Sequence, residues 1–327
     1  MRLDYLEEKE RRAFFKINHK QAKRSESPRL WALYSRKNVF ECYIILLEIS
    51  LYEWFEETIS VFRSIIMENV NEVERHKPFN KVHLQLIAAI AMFIDHLTWV
   101  IFPGYPMDAL PIILHIIGRL AFPIFAFFIA EGYHYTRNKN KYMLRVFILA
   151  LISHVPYMMA SVPFQKYGWL SCIPFATGEG IERFLNQGTV LFPYFIGLVM
   201  LRINDIEKLK TWHKTLIFLG LCVLAFPGDW SCIGSLVVVS IGSNRGKPLK
   251  QIIWAYIWIV CYAVVYFFAI DKIYAFIQLA TILVVPLLYF YNGKKSEYPM
   301  VNKVMRYFFY IFYPLHLLIL GIIAMFI

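Results

Sequence analysis

Charged residues are scarce in this chain of 327 residues. Asp, Glu, Lys and Arg make up 17% of it, where a soluble protein usually carries about 25%. Hydrophobic residues make up 58%. That balance excludes a disordered or fibrous chain and argues against an ordinary soluble enzyme. Cysteine offers no framework either. Cys42, Cys172, Cys222, Cys232 and Cys261 lie apart with no C-x-x-C, so neither a disulfide scaffold nor a zinc site is expected, and no other metal-ligand spacing is evident. A Gly-rich phosphate loop, a G-x-S-x-G elbow and a sustained repeat are all missing. Residues 1–16 are charged throughout and lack the apolar core of a cleavable signal peptide.

What is abundant is apolar sequence in long runs, and it begins late. Residues 1–37 hold 11 Lys/Arg against 5 Asp/Glu, and residues 38–80 hold 3 against 8. The stretch 39–67 is rich in Ile, Leu, Phe and Trp but contains Glu41, Glu48, Glu53, Glu56 and Glu57. Buried carboxylates in lipid are costly, so residues 1–80 read as a polar, helical, cytoplasmic or interfacial extension. From residue 81 to 327 the pattern is that of a transmembrane domain. Candidate spans fall at 82–102, 109–131, 142–162, 188–202, 214–227, 230–242, 251–270, 273–291 and 306–327. A span needs about 20 apolar residues, so 188–202, 214–227 and 230–242 are short.

The loops set the orientation. Lys/Arg cluster after the second, fourth, sixth and eighth candidate spans, and the alternate loops are nearly free of them. By the positive-inside rule the N-terminus is cytoplasmic and the C-terminus external. The fold expected is an all-α polytopic bundle of about nine spans in the cytoplasmic, or inner, cell membrane, in contact with its lipids. The net charge of +11 lies almost wholly after residue 80, mainly in these loops. It reports topology and gives no support to nucleic-acid binding.

Against this background the few ionisable residues inside spans stand out, because such groups are expensive and tend to face a cavity. They are Asp95 and His96 in the first span, His115 and Arg119 in the second with Glu131 at its end, His154 in the third, and His316 in the last. At 1.5 Å per residue, His96 lies roughly 21 Å from the cytoplasmic start of its span, Arg119 about 15 Å from the external end of its own, and His316 roughly 15 Å from the cytoplasmic end. The three share one level. Asp95 and His96 are about 100° apart around their helix, so Asp95 faces a partner on another span, Arg119 being the obvious one. His115 and His154 read more simply as hydrogen-bonded packing residues, and an Asp95–Arg119 ion pair can be purely structural. A neutral His is a general base near pH 7, a carboxylate can orient it, and a buried Arg can stabilise an oxyanion. The set suits acyl transfer onto an amine or hydroxyl.

Four blocks carry a resemblance to a known family: LIAAIAMFIDHLTWVIFP (86–103), IIGRLAFPIFAFFIAEGYHYTRNKNKYMLRVFILALISHVPY (116–157), DWSCIGSLVVVSI (229–241) and VVPLLYFYNGKKSEYPMVNKVMRYFFYIFYPLHLLIL (284–320). In order and spacing they resemble the TraX family of conjugation-associated membrane acetyltransferases, over roughly residues 82–327. The combination of IDH, GR-x-AFPIFAF-x-x-AEG, YNGK and FYPLHL is specific. Residues 1–80 lie outside the pattern, and the 163–187 loop matches it poorly. The resemblance implies an acetyl group taken from acetyl-CoA at the cytoplasmic face and, as in the namesake member, a pilin-like acceptor; an envelope glycan stays open as an acceptor beside it. It carries over Asp95, His96, Arg119, Glu131, Arg137 and His316 as functional positions.

On this reading His96 is the general base or a transient acyl carrier, and Asp95 orients it. Arg119 stabilises the oxyanion or fixes Asp95, and His316 binds the acceptor or relays a proton. Arg137, Lys139 and Lys141, with Glu131, stand at the cytoplasmic mouth as the contacts of the donor. A transporter, or an export or scaffold component of a conjugation or pilus system, is the alternative. Broken helices and midplane charges suit it.

Overall fold

The structure, a computed structural model, describes residues 77–173, 175–177 and 188–326. The expected interfacial helix at 39–67, and most of the 1–80 extension, lie outside the described residues. In chain order the described helices are α1 (Lys81–Ile101), α2 (Ala109–Gly118), α3 (Ala121–Tyr135), α4 (Lys139–Met159), α5 (Val162–Tyr167), α6 (Leu191–Asn204), α7 (Thr211–Ala225), α8 (Ser231–Ser243), α9 (Pro248–Ala269), α10 (Lys272–Leu279), α11 (Val284–Tyr289) and α12 (Pro299–Ala324). Short 3₁₀ turns follow α5 (Gly168–Cys172) and α10 (Ala280–Leu283). β-Pairing among the described residues is limited to an isolated bridge between Phe79 and Tyr291.

Among the described residues, six apolar rods are long enough to cross a membrane: α1, α2 with α3, α4, α9, α10 through α11, and α12. The helices α6, α7 and α8 have 14, 15 and 13 residues. At 1.5 Å per residue they reach only about 20 Å, less than the roughly 30 Å of a hydrocarbon core. Each candidate span overlaps one of these six rods or three shorter helices among the described residues. Helix α8 packs on α6, α9 and α3, while α12 packs on α4 and α1. Outward-facing Ile90, Val223 and Phe268 are exposed, as lipid-facing residues of a multi-pass membrane protein are.

Local chemistry starts and breaks these helices. Asn80, Asn138 and Asp271 accept hydrogen bonds from the backbone N–H groups of His83 (3.1 Å), Lys141 (2.9 Å) and Tyr274 (2.8 Å), each capping a helix start. Proline sets the interruptions. Pro123 has no N–H for the carbonyl of Arg119, and its ring crowds that carbonyl. The expected span at 109–131 is therefore two helices, α2 and α3, broken at Arg119 and Leu120. Pro286 acts likewise on Ile282, within the 3₁₀ turn that separates α10 from α11. Both breaks stand close to the polar site.

Small residues bring the helices together. A Cβ on Gly197 would stand 2.8 Å from the backbone oxygen of Ser235, and one on Gly321 would stand 2.7 Å from the Cβ of Met159. These positions permit the close contacts of α6 with α8 and of α12 with α4, as small residues do at helix interfaces in membranes.

Candidate functional site

The site lies where α1, the α2–α3 break, α8, α10 and α12 meet. Asp95 on α1 is its electrostatic centre. Nη2 of Arg119 donates to both of its carboxylate oxygens, at 3.0 and 3.2 Å. Nδ1 of His115 approaches Oδ1 at 2.8 Å. Nη1 of Arg119 donates to Oε1 of Gln278 at 3.4 Å. His115 and Arg119 are buried, so this ion pair is largely desolvated. Such a pair is held by the cost of leaving either partner alone. Gly118 makes the approach possible, because a Cβ there would overlap the Asp95 side chain.

His96, next to Asp95, points to a different partner. Its Nδ1 lies 2.9 Å from Nε2 of His316, and the two rings are nearly parallel, at 9°. Nδ1 of His316 lies 2.8 Å from the carbonyl oxygen of Phe312. A carbonyl only accepts, so Nδ1 of His316 carries a proton, and Nε2 of a neutral His316 is an acceptor. Nδ1–H of His96 then donates to it, which leaves Nε2 of His96 with a free lone pair. The same logic applied to the Asp95 carboxylate puts a proton on Nδ1 of His115. Nε2 of His115 is buried without a hydrogen-bond partner among the described residues, and so is Nε of Arg119.

These groups border a cavity of ≈ 40 Å³ lined by Asp95, His96, Arg119, Phe122, Tyr194, Asp229 and Trp230 among others. That is room for about two or three waters. The turn between α7 and α8 closes one side. Trp230 and Ser231 adopt left-handed conformations, φ +62° and +49°, which non-glycine residues hold only when the surroundings enforce them. Here the Trp230 ring stacks on Phe122 at 3.7 Å and 3°. The Asp229 N–H donates to the carbonyl of Gly188 at 2.8 Å. The result is a second carboxylate on the cavity wall.

The structure thus brings together Asp95, His96, Arg119 and His316, at the shared level estimated from helix rise. The pairing differs from the expectation in one respect. Asp95 spends its oxygens on Arg119 and His115, and His316 orients the His96 ring. His115 proves to be part of the polar cluster; its i,i+4 spacing from Arg119 was the available signal. Gln278 and Asp229 were not singled out as site residues. Asp229 looks like an ordinary turn residue beside Pro227-Gly228, and Gln278 has no sequence signal. His154 ties the connection after α4 in place, with Nε2 at 2.8 Å from the carbonyl of Cys172.

The four expected donor contacts lie elsewhere, near the other end of α3, about 20 Å from Arg119 along the helix. Glu131 accepts from Nε of Arg245 at 3.2 Å. Lys139 donates to Asp205 at 2.7 Å and sits 4.2 Å from the Tyr133 ring centroid. Arg137 and Lys141 are exposed. Burial opposes ionisation of Asp205, yet the hydrogen bonds from Lys139 and Tyr133 hold its carboxyl below the usual carboxylate range.

Helical spans around a buried ion pair and a histidine pair define a multi-pass membrane protein with a polar site between its helices. The chain belongs to the TraX protein family, whose pattern matches residues 81–324. It is 30% identical over 261 residues to a protein of Dichelobacter nodosus named "Probable fimbrial assembly protein FimC, serogroup H1", a likeness covering 78% of this chain and 99% of that one. No solved structure matches.

Proposed function

We propose that this protein is an acetyltransferase of the cytoplasmic membrane. It moves the acetyl group of acetyl-CoA onto an amine or hydroxyl of a pilin-like protein or an envelope glycan. The observation that carries the reading is the chain Phe312 O–His316–His96. It fixes the His96 tautomer and leaves Nε2 as a base next to a buried guanidinium.

The step balances without further reagents. Nε2 of His96 takes the proton from the acceptor N–H or O–H as the acceptor lone pair attacks the thioester carbonyl. Negative charge collects on the carbonyl oxygen, and Arg119, with an unspent N–H at Nε, offsets it. The C–S bond breaks as the carbonyl reforms. The proton on His96 passes to the departing thiolate, giving the acetylated acceptor and CoA. His316 supports the positive charge on His96 by accepting from Nδ1–H. Asp95 holds Arg119 and His115 in place.

A cavity of ≈ 40 Å³ admits waters and not a thioester, so transfer requires the surrounding helices to part. The exposed Arg137 and Lys141 are available to CoA phosphates on the cytoplasmic side, as flexible cations are.

The test is acetyl-CoA turnover by the protein in liposomes, paired with mass spectrometry of cells with and without the gene. The expected result is one component lacking about 42 Da, the mass of one transferred acetyl group. Intact acetylation by His96→Ala protein would remove the assignment of the base.

A second reading, a non-enzymatic component of pilus assembly, draws on the name of the Dichelobacter relative. It expects Asp95, His96 and Arg119 to be replaceable together without loss of assembly, provided the protein still inserts.

A further inference from the structure

The YNGK stretch, part of the family pattern, has no place in the transfer step. It forms a turn built against the start of α1. The Asn292 N–H donates to the Phe79 carbonyl at 2.9 Å, and the Lys81 N–H donates to the Lys294 carbonyl at 2.9 Å. Oδ1 of Asn292 accepts from the Lys294 N–H at 2.9 Å. Gly293 has φ +72°, a conformation that glycine adopts without steric cost. The chain then ties itself to α12. The Ser296 N–H donates to Oδ1 of Asn302 at 3.1 Å, and Nδ2 of Asn302 donates to the Ser296 carbonyl at 2.7 Å. Arg306 follows Asn302 by one turn, on the same face of α12.

These ties gather three cations. The bond from the Lys81 N–H to the Lys294 carbonyl sets Lys295 beside the start of α1, and the Ser296–Asn302 pair sets Arg306 one turn further along α12, so that both repel the Lys81 ammonium. Lys81 is half-buried, 5.6 Å from the Phe128 ring centroid, while Lys295 and Arg306 are exposed. Glu131 also acts on Lys81, and it already accepts from Arg245 at 3.2 Å. Like charges held together this way cost Coulomb energy, which a bound anion removes. A guanidinium fork beside two ammonium groups suits phosphate oxygens.

We propose that Lys81, Lys295 and Arg306 form a binding site for a phosphate group. It is carried by the acyl donor or by an anionic lipid headgroup. The site stands on the same two helices as the histidine pair. Lys81 precedes His96 by fifteen residues and Arg306 precedes His316 by ten, about 22 and 15 Å of helix. Assigning the phosphate to CoA rests on the acyl-transfer reading; the phosphate site itself does not.

The test uses full-length protein in nanodiscs containing phosphatidylglycerol. CoA is titrated by calorimetry, with phosphate-free pantetheine as comparison, and retained phosphatidylglycerol is counted by native mass spectrometry. The variant is Lys295→Gln/Arg306→Gln, both exposed, with an unchanged melting temperature as the check on folding. Lys208→Gln/Lys250→Gln removes equal charge from other loops. A CoA affinity weakened roughly tenfold or more, with pantetheine unaffected and the control double variant like wild type, supports the site with the donor as the source. Loss of phosphatidylglycerol alone supports it with the headgroup as the source. If wild-type protein binds no CoA while the variant loses lipid, the phosphate site stands and the donor reading falls. Unchanged CoA affinity together with unchanged lipid retention overturns the site.

Discussion

Nδ1 of His96 and Nε2 of His316 lie 2.9 Å apart, joining residues 220 positions distant in the sequence. His316 is in turn held by its own helix through Phe312 O. One imidazole therefore sets the tautomer of the other. His96→Ala is expected to lower kcat for acetyl transfer by about 10²- to 10⁴-fold, the usual contribution of a positioned base. His316→Phe preserves a ring to stack on Phe312 but removes the acceptor. It is expected to lower kcat by less, with KM for acetyl-CoA unchanged. Rates of CoA release from proteoliposomes check both.

The Asp95–Arg119 pair separates a structural role from a chemical one. Asp95→Asn leaves a buried guanidinium without its counter-charge and is expected to destabilise the fold by about 3–5 kcal/mol. Asp95→Leu/Arg119→Met removes both charges, so thermal unfolding in detergent is expected to return near the wild-type value. Activity is expected to stay lost. An active double variant would reduce the pair to scaffolding.

Gly118→Ala places a methyl group where the Asp95 carboxylate sits. Overpacking of this kind costs about 1–3 kcal/mol. Here it also pushes Asp95 away from Arg119 and His115. A lower melting temperature and reduced transfer are expected together, whereas Gly220→Ala, where the added Cβ meets nothing, is expected to be neutral in both.

Asp205 links the end of α6 to the start of α4 through Lys139. Its carboxyl is held below the ordinary value of 3.8, so the folded state binds its proton less readily than the unfolded one. The stabilisation is fully present above that ordinary value, and it is lost as pH falls through the lower folded-state value. Asp205→Asn is expected to lower the melting temperature at neutral pH and to flatten its decline at acid pH. Melting curves across that range measure this.

Much of the site was legible because lipid makes intramembrane charge expensive. Asp95, His96, Arg119 and His316 are conspicuous among apolar neighbours, and helix rise alone put the last three at one level. Their pairing was not legible. Adjacent residues on a helix point about 100° apart, so Asp95 and His96 had to address different partners, and only packing chose them. Asp229 and Gln278 lay hidden for a related reason. A carboxylate in a turn and an amide in a span are ordinary in sequence, and become site residues only through the helices beside them.

The sequence by itself determined the class and the course of the chain. Apolar runs from residue 81 and basic alternate loops dictate a polytopic helical protein, because each span must satisfy its backbone internally. The breaks were not fixed locally: Pro123 and Pro286 stand at them, whereas Pro156 and Pro314 lie inside continuous helices. The tertiary structure decided which buried polar groups meet. Hydrogen bonds need contact within about 3 Å, and no local rule brings α1 to α12, or the YNGK turn to Lys81. Close packing between helices that are distant in the chain does so.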